Sequence, residues 1–205
     1  ILSLGRIVPE KGIQYLIKAF RECSSDRKLV IARGSESNKD YYNQLLALAE
    51  GDERIIFTGY VYGQEVQELY SNAYIFALPS NLEGMANALL EAMSYGNCCL
   101  ISDIPENTEV VHDKALSFEK GNETDLQKKL QMLLDDENLV RKYKKEAAPY
   151  ILDRYNWDIV VDQMLRVYAG DVVDYNTVLQ ERESRNGVIP VSYTHLRAHE
   201  TRGNL

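Results

Sequence analysis

The feature that most constrains the fold is a regular alternation between short apolar runs and longer segments with helical spacing of apolar residues. Six runs have the length and residue types of buried strands: ILSLG, KLVIA, RIIFTG, YIFALP, NCCLIS and ALSF. Amphipathic segments separate these runs, and in the first of them Leu16, Ile17 and Phe20 fall on one helical face. Strands that alternate with helices indicate a parallel sheet with helices on both faces. We therefore predict a three-layer α/β fold with a parallel sheet of about six strands.

The organisation along the chain predicts one main domain followed by two tails. We assign residues 1–168 to the domain, because its last third continues the helical pattern, and residues 169–189 to a weakly patterned tail. Residues 190–205 include PVSYTHLRAHET, which resembles a transposon adapter read in frame, and we expect this tail to be non-native. His195 and His199 have a spacing that could hold a metal ion on a helix, but they lie in this tail. An apolar strand at the very start leads us to expect a missing amino-terminal portion.

The composition narrows the classes of partner. The 205 residues carry 31 acidic and 23 basic side chains, and the resulting net charge of −8 argues against a nucleic-acid partner. Three cysteines without metal-ligand spacing are typical of small buried side chains in a reducing compartment. No apolar run approaches the roughly 20 residues of a membrane-spanning helix, and no signal peptide is recognisable. We predict a cytoplasmic protein and leave peripheral association with the inner face of the membrane open.

The first strand is followed by a loop with two cations. Ligands of parallel α/β sheets bind beyond the carboxyl ends of the strands, so the loop GRIVPEKG is a candidate site. Gly5 permits either a close approach of the backbone or an unusual dihedral angle. Arg6 and Lys11 next to a helix start favour a dianion such as pyrophosphate, although an ordinary solvated turn is an equal alternative. The loop is not G-x-G-x-x-G, which weighs against a nicotinamide-dependent dehydrogenase.

The fourth strand leads into PSNLEGMANALLEAMSYG, which places two carboxylates around a helix start. We predict that the helix begins near Ala86 or Asn87, that Gly84 lets backbone N–H groups approach a ligand, and that Ala86 and Ala88 leave room for phosphate oxygens. Glu83 and Glu91 can accept hydrogen bonds from hydroxyls, as a sugar–diphosphate–ribose ligand would offer. The alternative is a capping acid and a solvated helix residue; the pair favours the functional interpretation. After the third strand, Tyr60 could flank a planar base or simply pack.

These segments together resemble a known family. GRIVPEKG, FTGYV, LPSNLEGMANALLEAMSYG and SDIPENTEVV look like the carboxy-terminal, donor-binding domain of GT-B-fold, family 4 retaining glycosyltransferases. The E-x7-E pattern of that family is matched by Glu83 and Glu91, and its Arg/Lys pair by Arg6 and Lys11. The resemblance runs from residue 1 to about 168. It implies a Rossmann-like domain that forms the C-terminal half of a GT-B fold.

The resemblance also implies roles for individual residues. Arg6, Lys11 and Glu83 would be catalytic, with the two cations on the donor diphosphate and the carboxylate on the donor sugar. The implied donor-binding residues are Gly5, Tyr60, Gly84, Met85, Ala86, Asn87, Ala88 and Glu91. In this set Glu91 would bind ribose, and the loop that holds Tyr60 would flank the nucleobase. This chain departs from the family at ARGSES, where the family often has a G-x-G-like turn.

The implied function is transfer of a sugar from a nucleotide-diphosphate sugar to an acceptor, with retention of anomeric configuration, in glycan biosynthesis. The intact enzyme would be a hexosyltransferase that needs an amino-terminal acceptor domain as its partner, and we expect this chain alone to be inactive. No metal or other cofactor is expected, because the two cations and the helix start offset the charge of the leaving diphosphate. The alternatives are a nucleotide-sugar-binding module without activity and a GT-B-fold nucleotide-sugar epimerase. His112 is interpreted as a surface histidine.

Overall fold

The computed structural model describes residues 1–33, 38–155 and 157–170. All six predicted strands are present, and the segment between the fifth and sixth strands, for which no helix was predicted, forms a short helix. The strands are β1 (Leu2–Leu4), β2 (Leu29–Ala32), β3 (Ile55–Gly59), β4 (Ile75–Leu78), β5 (Cys98–Ser102) and β6 (Leu116–Phe118). The helices are α1 (Ile13–Arg21), α2 (Lys39–Ala49), α3 (Gln64–Asn72), α4 (Asn87–Ser94), α5 (Pro105–Val111), α6 (Glu123–Asp135), α7 (Glu137–Arg154) and α8 (Trp157–Tyr168).

The strands form one parallel sheet in the order β3-β2-β1-β4-β5-β6. Successive strands are added outward in one direction from β1 to β3, and in the other direction from β4 to β6. The order therefore reverses between β1 and β4, where Leu2 pairs with Phe76. Loops that leave two neighbouring strands in opposite directions open a crevice at such a switch point, and ligands of this fold class bind there.

Both faces of the sheet are buried, which gives the three predicted layers. On one face, alternate strand residues such as Ile31 and Leu100 join a core cluster with Ile17 of α1 and Leu130 of α6, and all four are at most 1% exposed. The intervening strand residues point to the other face, because successive side chains of a strand alternate. There the ring of Phe76 packs against an aromatic side chain of α3.

The cysteines pack as predicted. Cys23, Cys98 and Cys99 are free thiols, and all three are buried. Burial raises the pKa of Cys98 to about 12 and that of Cys23 to about 11, so both remain protonated near neutral pH. His112 is exposed just after α5, as expected for a surface histidine, and it adopts a left-handed φ of 47°.

The contacts divide the chain into two units. The first unit, Ile1–Ile151, contains the whole sheet and helices α1 to α6. The second unit begins at Leu152, and its described part contains the end of α7 and all of α8. Residues 171–205 lie outside the described residues, and with them most of the predicted tails and both His195 and His199. Within the described ranges, no helix combines the length and the apolar character needed to cross a membrane.

Candidate functional site

The loops after β1 and β4 touch each other at the switch point. The β1 loop forms a 3₁₀ turn over Pro9–Lys11 and then enters α1 through Gly12, whose φ is 64°. The backbone N–H of Asn81 in the β4 loop donates to the carbonyl of Glu10 at 2.7 Å. A Cβ atom at Gly12 would lie 2.1 Å from the carbonyl oxygen of Pro79. Only glycine therefore permits both this backbone conformation and this contact between the loops.

An ion pair joins the two loops. Lys11 Nζ lies 2.6 Å and 2.7 Å from the two carboxylate oxygens of Glu83. The Ser80 hydroxyl donates to Oε1 of the same carboxylate at 2.6 Å. The side chains of Lys11 and Glu83 are 20% and 5% exposed, so the pair is shielded from water far more than a surface ion pair. From the sequence, Lys11 is assigned to the donor diphosphate and Glu83 to the donor sugar. The structure brings the two side chains into direct contact.

A chain of buried hydrogen bonds supports the β4 loop from behind. Asn107 of α5 donates from Nδ2 to the Ser102 hydroxyl at 3.1 Å, and Ser102 Oγ donates to the carbonyl of Ser80 at 2.5 Å. All three residues are fully buried. This support connects the end of β5 to the residue that holds the Glu83 carboxylate. These three residues were not identified from the sequence. The one clue in the sequence is Ser102, a polar residue at the end of the otherwise apolar strand β5.

Space remains open beside the other residues predicted for these loops. Arg6 is exposed on the same loop as Lys11. Gly5 does not adopt a left-handed φ, and a Cβ added there or at Gly84 would meet nothing within 4 Å. The left-handed dihedral is therefore absent at Gly5, whose N–H donates to the carbonyl of Ala32 at 3.2 Å. Both glycines instead border unfilled volume.

Helix α4 begins at Asn87, within a residue of the predicted start. No side chain caps it, because the preceding residue is Ala86, which is buried. The N–H of Asn87 donates back to the carbonyl of Met85 at 2.9 Å. Met85 is 64% exposed and Ala88 is half-buried. An uncapped helix start has partly unsatisfied N–H groups and a positive end of the helix dipole, a combination that suits an anion.

Glu91 lies on the exposed side of α4 and is held by a tyrosine that was not among the predicted site residues. The hydroxyl of Tyr70, in α3, donates to Glu91 Oε2 at 3.0 Å. The helical spacing of apolar residues in GQEVQELYSNA predicts that Tyr70 lies on the apolar face of its helix, which is correct for its ring but says nothing of the hydroxyl. Tyr60 follows β3, is 43% exposed and stacks on Tyr62 with nearly parallel rings, 6.1 Å between centroids.

In the part of the chain that the structure describes, no group of three or more His, Cys, Asp or Glu side chains has an arrangement that could hold a metal ion. Arg6 and Lys11, the two cations predicted for this site, both lie in the β1 loop.

Comparison with known proteins places the chain in a family. A family model described as glycosyl transferases group 1 matches residues 1–149. An N,N'-diacetylbacillosaminyl-diphospho-undecaprenol alpha-1,3-N-acetylgalactosaminyltransferase of Campylobacter jejuni is 33% identical over 170 residues, which cover 82% of this chain and 44% of that protein. An uncharacterized glycosyltransferase of Methanocaldococcus jannaschii is 28% identical over 172 residues, again 82% and 44% of the two chains. The chain thus spans less than half the length of these relatives.

A solved structure shows the same fold. The Anabaena HepE protein, crystallised in complex with UDP and glucose, superposes with a TM-score of 0.76 at 17% identity, over 82% of this chain and 48% of that one. The expected Rossmann-like α/β domain of a GT-B fold is thereby confirmed. The chain belongs to the glycosyl transferases group 1 family.

Proposed function

We propose that the protein, as part of a longer enzyme, transfers a sugar from a nucleotide-diphosphate sugar to an acceptor with retention of anomeric configuration. The observation that carries this proposal is the shielded Lys11–Glu83 pair at the β1/β4 switch point, next to the uncapped start of α4. Ligands of such sheets bind at this position. The similar Anabaena protein was crystallised with UDP and glucose, which adds support for a uridine or related nucleotide sugar.

The proposed chemistry rests on stabilising the departing diphosphate. An ammonium group has three N–H donors. Lys11 directs donors at both oxygens of Glu83 and keeps capacity for a phosphate oxygen beyond them. Arg6 and the start of α4 add positive potential at the same place. Stabilising the leaving-group charge lowers the barrier to transfer, and in this proposal these groups do so without a metal ion.

Glu83 is proposed to orient the donor sugar. Its Oε1 already accepts from Ser80, and its two oxygens face Lys11, so the carboxylate is held in one place before any ligand arrives. A fixed carboxylate can accept a hydrogen bond from a sugar hydroxyl with little loss of side-chain entropy. The backbone from Gly84 to Ala88 would contact sugar and phosphate, Glu91 the ribose, and Tyr60 the base.

A lysine substitution in the intact enzyme tests the proposal. Lys11→Ala removes one contact to the leaving group and is expected to lower turnover by on the order of 10²-fold. Lys18→Ala is the matched control, because Lys18 pairs with Glu123 at 2.7 Å in an exposed position away from the switch point. Turnover close to wild type for the Lys11 variant would refute its role. Nuclear magnetic resonance of the product's anomeric centre tests retention.

The chain by itself is proposed to bind nucleotide sugars without turning them over. This second candidate follows from its length, which is less than half that of its relatives, so acceptor contacts would come from a partner domain. Calorimetry with UDP- and GDP-sugars, next to an activity assay of the chain alone, tests this second candidate. Binding without turnover supports the module, turnover by the chain alone contradicts it, and absence of binding contradicts the proposed donor site. We further propose a cytoplasmic location for the intact enzyme and leave peripheral membrane association open.

A further inference from the structure

We propose that Tyr70 is a positioning residue that fixes the Glu91 carboxylate for the ribose and so strengthens the preference for a nucleotide that carries ribose hydroxyls. The inference rests on the proposed function, in which Glu91 binds the ribose. Tyr70 itself lies beneath the surface and would not touch the nucleotide. Its relative exposure is 1%, whereas Glu91 is an exposed residue of α4.

The contact between the two residues has a defined direction. Tyr70 donates its hydroxyl proton to Glu91 Oε2 at 3.0 Å and lies 3.4 Å from the carbonyl oxygen of Ala88. Burial and the neighbouring Glu91 carboxylate raise the pKa of the Tyr70 phenol far above its usual value. The hydroxyl therefore stays protonated near neutral pH and donates the hydrogen bond, and the carboxylate is the acceptor.

The ring of Tyr70 is held from several sides, which makes its hydroxyl a fixed point. It stacks on Tyr95 with 5.4 Å between centroids and packs against Phe76 at 5.8 Å. The backbone next to it is fixed as well, because the buried Asn97 amide donates to the carbonyls of Tyr70 and Ala92, both at 3.0 Å. These bonds tie the end of α3 to α4. The position of the Tyr70 hydroxyl relative to α4 is therefore fixed.

Fixing one oxygen of Glu91 matters because an exposed glutamate otherwise samples many rotamers. Ordering such a side chain on ligand binding costs free energy, and a hydrogen bond already in place reduces that cost. A carboxylate has about four lone-pair sites, of which the tyrosine uses one. The remaining sites can accept hydrogen bonds from ribose hydroxyls.

The experiment measures discrimination between nucleotides by the purified chain. Calorimetry gives the Kd of UDP and GDP and of their 2′,3′-dideoxy counterparts, for wild type, Tyr70→Phe, Glu91→Gln and the double variant. Tyr70→Phe keeps the ring packing and removes only the hydroxyl. We expect it to reduce the preference for the ribonucleotide about three- to tenfold, the range of one hydrogen bond. In the Glu91→Gln background the same change should alter the preference much less, because the two residues act together.

Two control variants separate a specific effect of the Tyr70 hydroxyl from a general effect of removing a buried hydroxyl and from a failure to fold. Tyr41→Phe removes another buried tyrosine hydroxyl, one that donates to Gln14, and should leave the preference unchanged. Glu91→Asp shortens the side chain without disturbing the core, so it tests the inference even if Tyr70→Phe does not fold, and it should also weaken the preference.

Wild-type preference in Tyr70→Phe, with loss of preference in Glu91→Gln, would overturn the role of Tyr70 and leave the proposed function intact. Full preference in Glu91→Asp would likewise overturn the positioning role. Absence of nucleotide binding by the wild type, or unchanged preference in Glu91→Gln, would instead contradict the assignment of Glu91 in the proposed function.

Discussion

Substituting Gly12 tests whether the contact between the β1 and β4 loops holds the candidate site together. Gly12→Ala meets two separate obstacles. The φ of 64° is a left-handed conformation, which costs a residue with a Cβ about 1–2 kcal/mol. The new Cβ would also lie 2.1 Å from the Pro79 carbonyl oxygen, whereas Cβ atoms essentially never come within 3.0 Å of another group. The β4 backbone must therefore move by about an ångström.

The magnitude follows by adding the two effects. Overpacking that forces a backbone shift costs about 1–3 kcal/mol, so the total loss for Gly12→Ala is about 2–5 kcal/mol. The matched control is Gly121→Ala. Gly121 has a similar φ of 73°, but a Cβ there meets nothing within 4 Å, so only the cost of about 1–2 kcal/mol applies. The difference between the two variants isolates the loop contact.

Urea unfolding of both variants measures these free energies, and the midpoint at constant m-value reports the change. Because Pro79 precedes Ser80, a shift of the β4 backbone also displaces Glu83, and UDP should bind the Gly12 variant more weakly than the Gly121 variant. Equal destabilisation of the two variants would show that the loops are not in contact as described. The switch point would then not behave as a single rigid unit.

Three further predictions concern stability. Asn107→Ala removes the buried amide that supports the end of β5 and should lower the free energy of urea unfolding by about 1–3 kcal/mol; an effect below about 0.5 kcal/mol, that of a neutral surface change, would count against a structural role. Lys11→Met leaves the Glu83 carboxylate shielded and without its cation, so it should lower the free energy of urea unfolding by about 1–3 kcal/mol. The control Lys18→Met breaks an exposed ion pair and should lower it by less than about 1 kcal/mol. Equal losses in the two variants would contradict the difference in shielding. Burial raises the pKa of the Cys99 thiol, so above the usual thiol pKa the unfolded state loses a proton that the folded state keeps. The free energy of unfolding should therefore fall by about 2 kcal/mol for this thiol between about pH 8 and pH 10, and the fall should be smaller in Cys99→Ala.

The fold was predictable because its signals are local. Each strand is a short apolar run, such as YIFALP around β4 with its β-branched and aromatic residues, and most helices show their own spacing of apolar residues. These local signals do not determine the order of the strands in the sheet. Predicting a parallel sheet requires only alternation, whereas knowing that β1 lies beside β4 requires the topology.

The site was predictable only in part for the same reason. Gly84 and the two glutamates stand out within one short segment, because carboxylates around a helix start form a local pattern. The Lys11–Glu83 contact joins residues 72 positions apart, and Tyr70 reaches Glu91 across 21 positions. Contacts between residues so far apart along the chain cannot be predicted from a local pattern in a single sequence. The Tyr70 ring fits an apolar helix face, so only the position of its acceptor in the fold reveals what its hydroxyl does.

The strand order has a consequence for how the chain assembles. Leu2 pairs with Val30 on one side and with Phe76 on the other, so the central strand needs partners from near and far along the chain. Closing the longer loop costs more entropy, which favours β1–β2–β3 forming ahead of the docking of β4. Lys11 then belongs to the half that forms early, and Glu83 to the half that docks late. A nucleotide held between Lys11 and Glu83 would bind only after β4 has docked. Such binding would therefore stabilise the completed sheet relative to a state in which only β1, β2 and β3 have formed.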